Sequence, residues 1–453
     1  MQPDHHSREE HSGQPGGRGR GEFRGHTEAN SEAVPKVERR RKPRVRKSAP
    51  IPAGPPHLDA YEPIVGTSEL DELRFLAQSF RGKSVQIVNS SEFLEGMEAS
   101  VKHLVTLFQE LDIRSRVEQI DGEELESIAG ELRESLQGTQ GMREEAFRTA
   151  VIAHSKRNRD RTTFDANFVV VHDPESSALI EAKRKKQCWV WRSYLDLSRA
   201  AGPLWEVVRH WIERYDGAIL SSQRFAPKLS IPQYMFYPCI DPLSDRNKPL
   251  DPSYIQQVCD ECGIDRSRAV VTQVAAFEAE NDISGVIQAF RAAKESVDCQ
   301  LVLAAAANGG AASGRILDEA REAAENDSDV IILPASSEME INALQRASTV
   351  IIHKPTMERF GFAVAEAMWK GKPVIGSAVG VIPNQIIHNI TGTLVHSIED
   401  CANQIRSLLT EPQVAEELGK NAREHVKENF LITSNLKRWL LLFQTLSEVA
   451  GPS

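Results

Sequence analysis

The chain has 453 residues, of which 40% are hydrophobic and 26% charged. This composition excludes an intrinsically disordered protein and suffices for two ordinary domains with their own cores. The formal net charge of -10 argues against general nucleic-acid binding, which requires a basic surface.

The first residues differ from the rest in composition and charge. Residues 1–50 hold 12 Lys/Arg and 7 Asp/Glu. Large apolar side chains are scarce among residues 1–57, so we expect a disordered arm there. Two basic stretches, residues 16–25 and 39–47, are favoured as parts of a solubilising tail. The alternative is an electrostatic arm in weak contact with a polyanion such as RNA, polyphosphate or an anionic membrane.

From residue 83 onward, short apolar segments alternate with helical periodicity. The first series predicts a helix over residues 96–111 and strands over 84–89, 168–172, 189–192 and 218–221. Residues 237–252 are rich in Pro and Asp and predict a connector between domains. The second series predicts strands over 270–274, 301–305, 330–333, 349–352, 374–375 and 392–395, then helices over 402–409, 414–428 and 436–446.

Apolar strands separated by helices indicate parallel sheets covered on both faces. The sequence therefore predicts an α/β fold with two Rossmann-like domains, over residues 58–240 and 241–430, and a last helical segment over 431–453. Ligands of such sheets collect at the carboxyl ends of the strands.

The cysteines indicate a reducing compartment. Six are scattered along a chain without an apolar run long enough for a signal peptide or a membrane span, which favours a cytoplasmic location. Cys259 and Cys262 form a CxxC inside a predicted helix. Because no second CxxC or paired His follows, two small helix residues are favoured over zinc or redox chemistry, and no metal is expected.

Two glutamates flank a predicted strand-to-helix junction within residues 351–380. Glu358 is placed at the entrance of a helix over residues 360–370, and Glu366 lies just over two turns further along. The backbone N–H groups of Phe360, Gly361 and Phe362 would face an anion or a sugar hydroxyl at the helix start.

This E-x7-E pattern resembles the signature of retaining glycosyltransferases with the two-domain GT-B fold. Residues 171–198, 237–247 and 365–376 are similar to the trehalose glycosyltransferring synthase and trehalose phosphorylase group, and the similarity runs from about Tyr61 to the C-terminus. The resemblance implies an interdomain cleft, with a nucleotide-diphosphate sugar on the C-terminal domain and a monosaccharide acceptor on the N-terminal domain. It also implies that the last helix crosses back to the first domain, and that neither metal nor cofactor is required.

The resemblance also implies roles for individual residues. Glu366 would bind the nucleotide ribose and Glu358 would face the donor hexose. His172 and Asp173 would touch the transferred sugar; alternatively, His172 caps its strand and Asp173 opens a turn. Arg192 and Gly96, the one glycine left in a loop that is glycine-rich in the family, are expected on the acceptor side.

The expected donor site departs from the family in its charges. Ala276 and Asn281 occupy the positions at which the family has an Arg and a Lys that contact the donor phosphates, and Glu278 and Glu280 add negative charge nearby. Arg359, together with Lys354, is a candidate substitute cation; it could equally plug the helix start or face solvent.

Two functions follow. The first is a retaining hexosyltransferase that acts on a nucleotide-diphosphate sugar and glucose or a related acceptor. The alternative is a weakened or inactive GT-B homologue that serves as a sugar sensor or assembly partner. A homo-oligomer is compatible with either.

Overall fold

The computed structural model describes residues 56–89, 97–120, 132, 135–136, 144–306, 313–324 and 327–449. The predicted arm lies outside the described residues apart from Pro56 and His57, and Gly96 lies outside them too. The described residues belong to one compact unit.

The N-terminal lobe is built on a parallel sheet with strand order β2-β1-β3-β4-β5-β6. Its strands are β1 (Ser84–Asn89), β2 (Arg114–Gln119), β3 (Phe168–His172), β4 (Cys188–Ser193), β5 (Gly217–Leu220) and β6 (Gln233–Met235). The helices that precede, separate or follow them are α1 (Glu62–Val65), α2 (Thr67–Ala77), α3 (Met97–Glu110), α4 (Glu144–Arg161) and α5 (Gly202–Ile212). The central strands β3, β4 and β5 are buried along their whole length, because helices cover both faces of the sheet.

The C-terminal lobe contains a second parallel sheet, of order β12-β11-β10-β7-β8-β9. Its strands are β7 (Ala269–Val274), β8 (Cys299–Ala306), β9 (Val330–Ser336), β10 (Val350–His353), β11 (Val374–Ser377) and β12 (Thr393–Val395). Its helices are α6 (Pro252–Cys262), α7 (Ile283–Lys294), α8 (Ser313–Ala324), α9 (Glu338–Ala347), α10 (Phe362–Trp369), α11 (Ile382–Gln385), α12 (Ile398–Thr410) and α13 (Pro412–Asn429).

The last helix, α14 (Ile432–Val449), packs in the N-terminal lobe. Its Phe443 ring stacks on Phe168 of β3 with ring centroids 4.3 Å apart, and Trp439 and Leu436 belong to the same core. The chain thus passes between the lobes twice, and the two passages touch: the N–H of Ile240 donates to the carbonyl of Phe430 (2.8 Å) and the N–H of Ile432 to that of Ile240 (3.0 Å).

The predicted α/β fold with two Rossmann-like sheets is confirmed. All six cysteines are free thiols, and Cys259 and Cys262 lie on α6. Over the described ranges, no cluster of three or more His, Cys, Asp or Glu side chains is placed to hold a metal ion. None of the helices in that part of the chain is long and apolar enough to cross a membrane.

Candidate active site

The carboxyl ends of the two sheets face each other. His172 ends β3, and the ring of Tyr194, just beyond β4, lies 5.5 Å from the ring of Phe360, which follows β10 in the other lobe. A second contact joins Asn384 of α11 to Ser222, with amide nitrogen and hydroxyl 3.2 Å apart. His172 and Phe360, two of the predicted site residues, therefore lie on either side of Tyr194 where the lobes meet, at the edge where parallel sheets bind ligands.

Glu358 is held by both of its carboxylate oxygens. Oε2 lies 2.5 Å from Nε2 of His353, and Oε1 accepts the backbone N–H groups of Arg359 and Phe360, each at 2.9 Å. Burial raises the pKa of Glu358, but His353 and the N–H groups of Phe360 and Gly361 outweigh it and hold the pKa at about 2. The side chain is thus a fixed carboxylate at neutral pH.

This geometry changes one expectation. The N–H of Phe360 was predicted to face a ligand, yet it donates to the carboxylate two residues earlier. The reason is local: the chain turns sharply before α10, and an adjacent carboxylate is the nearest anion for the partial positive charge there.

Two glycines allow this turn. Gly361 has φ +62°, and a Cβ there would lie 2.5 Å from Oε1 of Gln385, whose amide group donates to the carbonyl of Phe360. Gly380 has φ +53°, and a Cβ there would lie 1.8 Å from the backbone oxygen of Glu358. The loop after β11 therefore supports the backbone of Glu358 from behind.

Glu366 lies on α10 with 8% of its side chain exposed, and its Oε2 accepts a hydrogen bond from Nε of Arg246 at 3.0 Å. Arg246 comes from the predicted interdomain connector, and its Nη1 also contacts Glu338 at 3.3 Å. Burial alone would lower the pKa of Arg246, but Glu366 and Glu338 raise it. Glu366 and Arg246 therefore form a largely buried ion pair.

Lys370 lies one turn after Glu366 and is buried in the same cluster. Its Nζ donates to Oδ1 of Asn247 (2.9 Å) and to the backbone oxygen of Glu366 (3.2 Å). Burial lowers the pKa of Lys370 to about 7, Glu366 opposes that change, and Arg346 and Arg246 add to it. The cluster around Glu366 thus carries a cation that titrates near neutral pH.

Amide and backbone hydrogen bonds hold the loop between β7 and α7. The amide of Asn281 donates to the carbonyl of Ala276 at 2.9 Å, and the amide of Gln273 donates to the carbonyl of Asn281 at 3.0 Å. The N–H of Thr356 donates to the carbonyl of Glu280 at 2.7 Å. The two substituted positions are therefore neighbours, and their loop is tied to the loop that carries Glu358.

The structure distinguishes the two candidate substitute cations. Nζ of Lys354 is bound by Asp282, the N-cap residue of α7. Arg359 is half-buried, and its Nε has no hydrogen-bond partner within the described residues. Lys354 is thus paired with a carboxylate, whereas Arg359 keeps an N–H donor without a partner in the described part of the chain.

On the N-terminal side, His172 and Asp173 are both buried, at 1% and 4% exposure. Burial lowers the pKa of His172 well below its ordinary 6.5, and the charge of Arg192 lowers it further; the ring is neutral at pH 7. Asp173 has φ +71° and precedes the 3-10 helix Pro174–Ala182 without capping it by its side chain. Such strain in a non-glycine residue is typical of functional sites.

Arg192 lies on β4 directly beside His172. Its Cζ lies 4.8 Å from the ring centroid of Tyr194 and 5.5 Å from that of Trp439 on α14. Arg192 is 5% exposed. The faces of the two aromatic rings stabilise the positive charge of its guanidinium group.

Comparison with known proteins identifies the family. Residues 87–227 match the family described as "Trehalose synthase, N-terminal domain", and residues 260–425 match "Glycosyl transferases group 1". The chain is 35% identical over 401 residues to the trehalose synthase of Thermococcus litoralis, an alignment that covers 86% of this chain and 97% of that protein. The trehalose synthase of Rubrobacter xylanophilus is 29% identical over 86% of this chain and 97% of its own length. The chain belongs to the trehalose synthase family of glycosyltransferases.

Solved structures show that this trehalose synthase homologue shares the GT-B fold. Sucrose-phosphate synthase of Thermosynechococcus elongatus superposes with a TM-score of 0.62 at 17% identity, over 81% of this chain and 100% of that one. Anabaena HepE in complex with UDP and glucose superposes with a TM-score of 0.59 at 15% identity, over 80% and 100%.

Several residues of the candidate site in this trehalose synthase homologue were not singled out from the sequence. His353, Arg246 and Lys370 each contact one of the two glutamates, and Tyr194 joins the lobes. One signal was available: Arg246, Lys370 and Tyr194 lie inside segments that carry the family resemblance. The contacts themselves depend on loops whose path the sequence pattern does not specify.

Proposed function

We propose that this protein is a retaining hexosyltransferase that moves a hexosyl group from a nucleotide-diphosphate sugar to glucose or a related acceptor. The proposal depends on the arrangement of two glutamates: Glu358 is fixed at the entrance of α10 and Glu366 on α10 itself, opposite His172 and Arg192. The chain that holds them matches trehalose synthases along most of its length.

Each predicted residue has a role in this proposal. Glu366 binds the ribose hydroxyls of the donor, with Arg246 holding its carboxylate. Phe360, Gly361 and Phe362 form the wall beside the donor, and Glu358 fixes the helix entrance next to the hexose. His172 and Asp173 contact the transferred sugar, and Arg192 supports the acceptor side.

The reaction needs charge stabilisation more than a nucleophile. The bond between C1 of the hexose and the phosphate oxygen breaks, and the nucleoside diphosphate leaves with the electron pair. The acceptor hydroxyl attacks C1 on the same face, and its proton passes to the departing phosphate oxygen. Preorganised donors aimed at the diphosphate are the main source of catalysis for such a step.

We assign that diphosphate contact to Arg359. Lys354 is neutralised by Asp282, whereas Nε of Arg359 lacks a partner within the described residues, beside the helix entrance. Ala276 and Asn281 supply no charge, so their share of the phosphate contact is reduced to backbone and amide groups.

The test starts with the full-length protein and the nucleotides UDP, ADP and GDP. A ligand that binds the folded state raises the melting temperature according to RT ln(1 + [L]/Kd). We expect at least one nucleotide to stabilise the protein at millimolar concentration, and the matching nucleotide-glucose with free glucose to give a disaccharide detected by NMR.

Two variants make the test specific, because the carboxylates of Glu366 and Glu338 both contact Arg246 and only Glu366 is proposed to bind the nucleotide. Glu366→Gln should weaken nucleotide binding about tenfold or more, since it removes a charged acceptor. Glu338→Gln, at a side chain 57% exposed, should leave binding within about twofold. Nucleotide binding without transfer would favour the sugar sensor or assembly partner, and no stabilisation by any nucleotide would refute the donor assignment.

We also propose the domain boundaries of the enzyme, its cellular location and a contact of its N-terminal arm. The paired passages at Ile240 and Leu431 support domains over residues 58–240 and 241–430, with residues 431–453 returning to the first domain. Six free thiols support a cytoplasmic location. Two measurements compare the full-length protein with a variant that lacks residues 1–57. Polyanion binding tests the proposed contact of the arm, and molecular mass in solution tests a homo-oligomer. Unchanged values would dismiss a role of the arm in either.

A further inference from the structure

Tyr194 lies between the proposed donor side and the proposed acceptor side of the site. It follows β4 and is 1% exposed. On the side of the N-terminal lobe, its ring centroid lies 5.8 Å from that of His172 and 4.8 Å from Cζ of Arg192. Arg192 belongs to the proposed acceptor side, and His172 is proposed to contact the transferred sugar.

On its other side, the same ring touches the C-terminal lobe. Its centroid lies 5.5 Å from that of Phe360, which stacks on Phe362 with centroids 5.5 Å apart and an interplanar angle of 9°. The backbone N–H of Phe360 donates to Glu358. One aromatic ring thus separates Arg192, on the proposed acceptor side, and His172 from the helix entrance of the donor side.

The physical properties of this ring suit it to transmit a displacement. A tyrosine ring is rigid and has only two side-chain torsions, and close-packed surroundings do not absorb small shifts. A movement of Arg192 or His172 on sugar binding must therefore move Tyr194, and Tyr194 contacts Phe360. The Ser222–Asn384 contact also joins the lobes, but neither of those residues is a predicted sugar or nucleotide ligand.

We propose that Tyr194 is a positioning residue that couples binding of the acceptor sugar to binding of the nucleotide. This inference rests on the proposed function. The coupling is a free energy shared by the two sites, so each ligand changes the affinity of the other by the same factor.

The experiment measures that factor without turnover. Calorimetry on the full-length protein gives the Kd of glucose alone and with a saturating concentration of whichever of UDP, ADP and GDP raises the melting temperature most. In the natural protein we expect the nucleotide to tighten glucose binding by about fivefold or more. In Tyr194→Leu the ratio should fall to about one, while each ligand alone keeps its Kd within about threefold; Tyr194→Phe, which keeps the ring, should retain the ratio.

Tyr215→Leu is the matched control. Tyr215 is another buried tyrosine of the same lobe; it contacts Trp189 with centroids 6.3 Å apart and donates to the carbonyl of Ser177 at 2.9 Å. Its loss should lower the melting temperature and leave the coupling ratio unchanged. If Tyr194→Leu does not fold, Phe360→Leu removes the other ring of the same contact, at a residue that is only half-buried. It should also bring the coupling ratio to about one.

The outcomes separate the two proposals. A Tyr194→Leu protein with the same ratio as Tyr215→Leu, or a natural protein that binds both ligands independently, overturns the role of Tyr194 and leaves the transferase assignment standing. A natural protein that binds no nucleotide refutes the donor assignment, and the coupling falls with it.

Discussion

The side-chain amide of Asn281 donates a hydrogen bond to the backbone carbonyl of Ala276, with nitrogen and oxygen 2.9 Å apart. These are the two positions at which the family resemblance places phosphate-binding cations. Here the two positions are hydrogen-bonded to each other, and the loop carries no positive charge of its own.

Restoring the cations should strengthen nucleotide binding. We expect Ala276→Arg with Asn281→Lys to lower the Kd of the bound nucleotide by about tenfold or more, because each charged hydrogen bond contributes about 1.5–3 kcal/mol. Loss of the Asn281 amide contact should cost about 1 kcal/mol of stability. Calorimetry at two salt concentrations measures both affinity and its charge dependence. The neutral pair Ala276→Gln with Asn281→Gln is the control; equal affinities for the two double variants would contradict the prediction.

The carboxylate of Glu358 should make stability depend on acid pH. Its pKa is lowered from an ordinary 4.5 to about 2, so between these values the unfolded state binds more protons and stability rises with pH. The contribution is complete above about pH 5 and is lost as the pH falls towards 2, with a ceiling of about 3 kcal/mol. Urea unfolding of the natural protein and Glu358→Gln should show a difference that grows over this window. A pH-independent difference would mean that Glu358 acts through shape alone; Glu206→Gln, at an exposed side chain, is the control.

The Arg246–Glu366 pair should show strong coupling in a double-mutant cycle. Arg246→Met leaves a carboxylate with 8% exposure unpaired and should cost about 3 kcal/mol. Adding Glu366→Gln should then cost little, so the two effects are not additive. Chemical denaturation of both single variants and the double variant measures the coupling energy. Additive effects would show that Lys370, and not Arg246, compensates the charge of Glu366.

Gly380 should be far less replaceable than Gly66. Both have positive φ, but a Cβ at Gly66 meets nothing within 4 Å, whereas one at Gly380 would lie 1.8 Å from the backbone oxygen of Glu358. We expect Gly66→Ala to cost about 1–2 kcal/mol through backbone strain alone. Gly380→Ala should cost about 3 kcal/mol or more and should also weaken nucleotide binding, because it displaces Glu358. Similar losses of stability and unchanged binding in both variants would show that the loop after β11 does not support the site.

The sequence pattern predicted the buried strands and the edge strands of the second sheet, but it missed both edge strands of the first sheet. The predicted strands over residues 84–89 and 168–172 coincide with β1 and β3, because apolar runs identify strands that are covered on both faces. β2 reads RSRVEQ and was not predicted, since an edge strand keeps charged side chains in contact with water. The short β6 was missed as well, because three half-buried residues carry no periodic signal.

For the site, the sequence pattern located the two glutamates on their secondary-structure elements but did not indicate which groups their side chains contact. The eight-residue spacing placed Glu358 at the helix entrance and Glu366 on the helix. It could not indicate that Glu358 folds back onto the N–H of Phe360, or that Arg246 reaches Glu366 across 120 residues of sequence. Both outcomes depend on loop conformation and long-range packing, and the ligand roles of these residues remain predictions.

The return of α14 to the N-terminal lobe has a consequence for biosynthesis. Leu436, Trp439 and Phe443 complete a core whose other members include residues near Tyr61 and Val85. The ribosome makes them only after the entire second sheet. The first lobe therefore keeps an apolar surface uncovered until α14 has been synthesised.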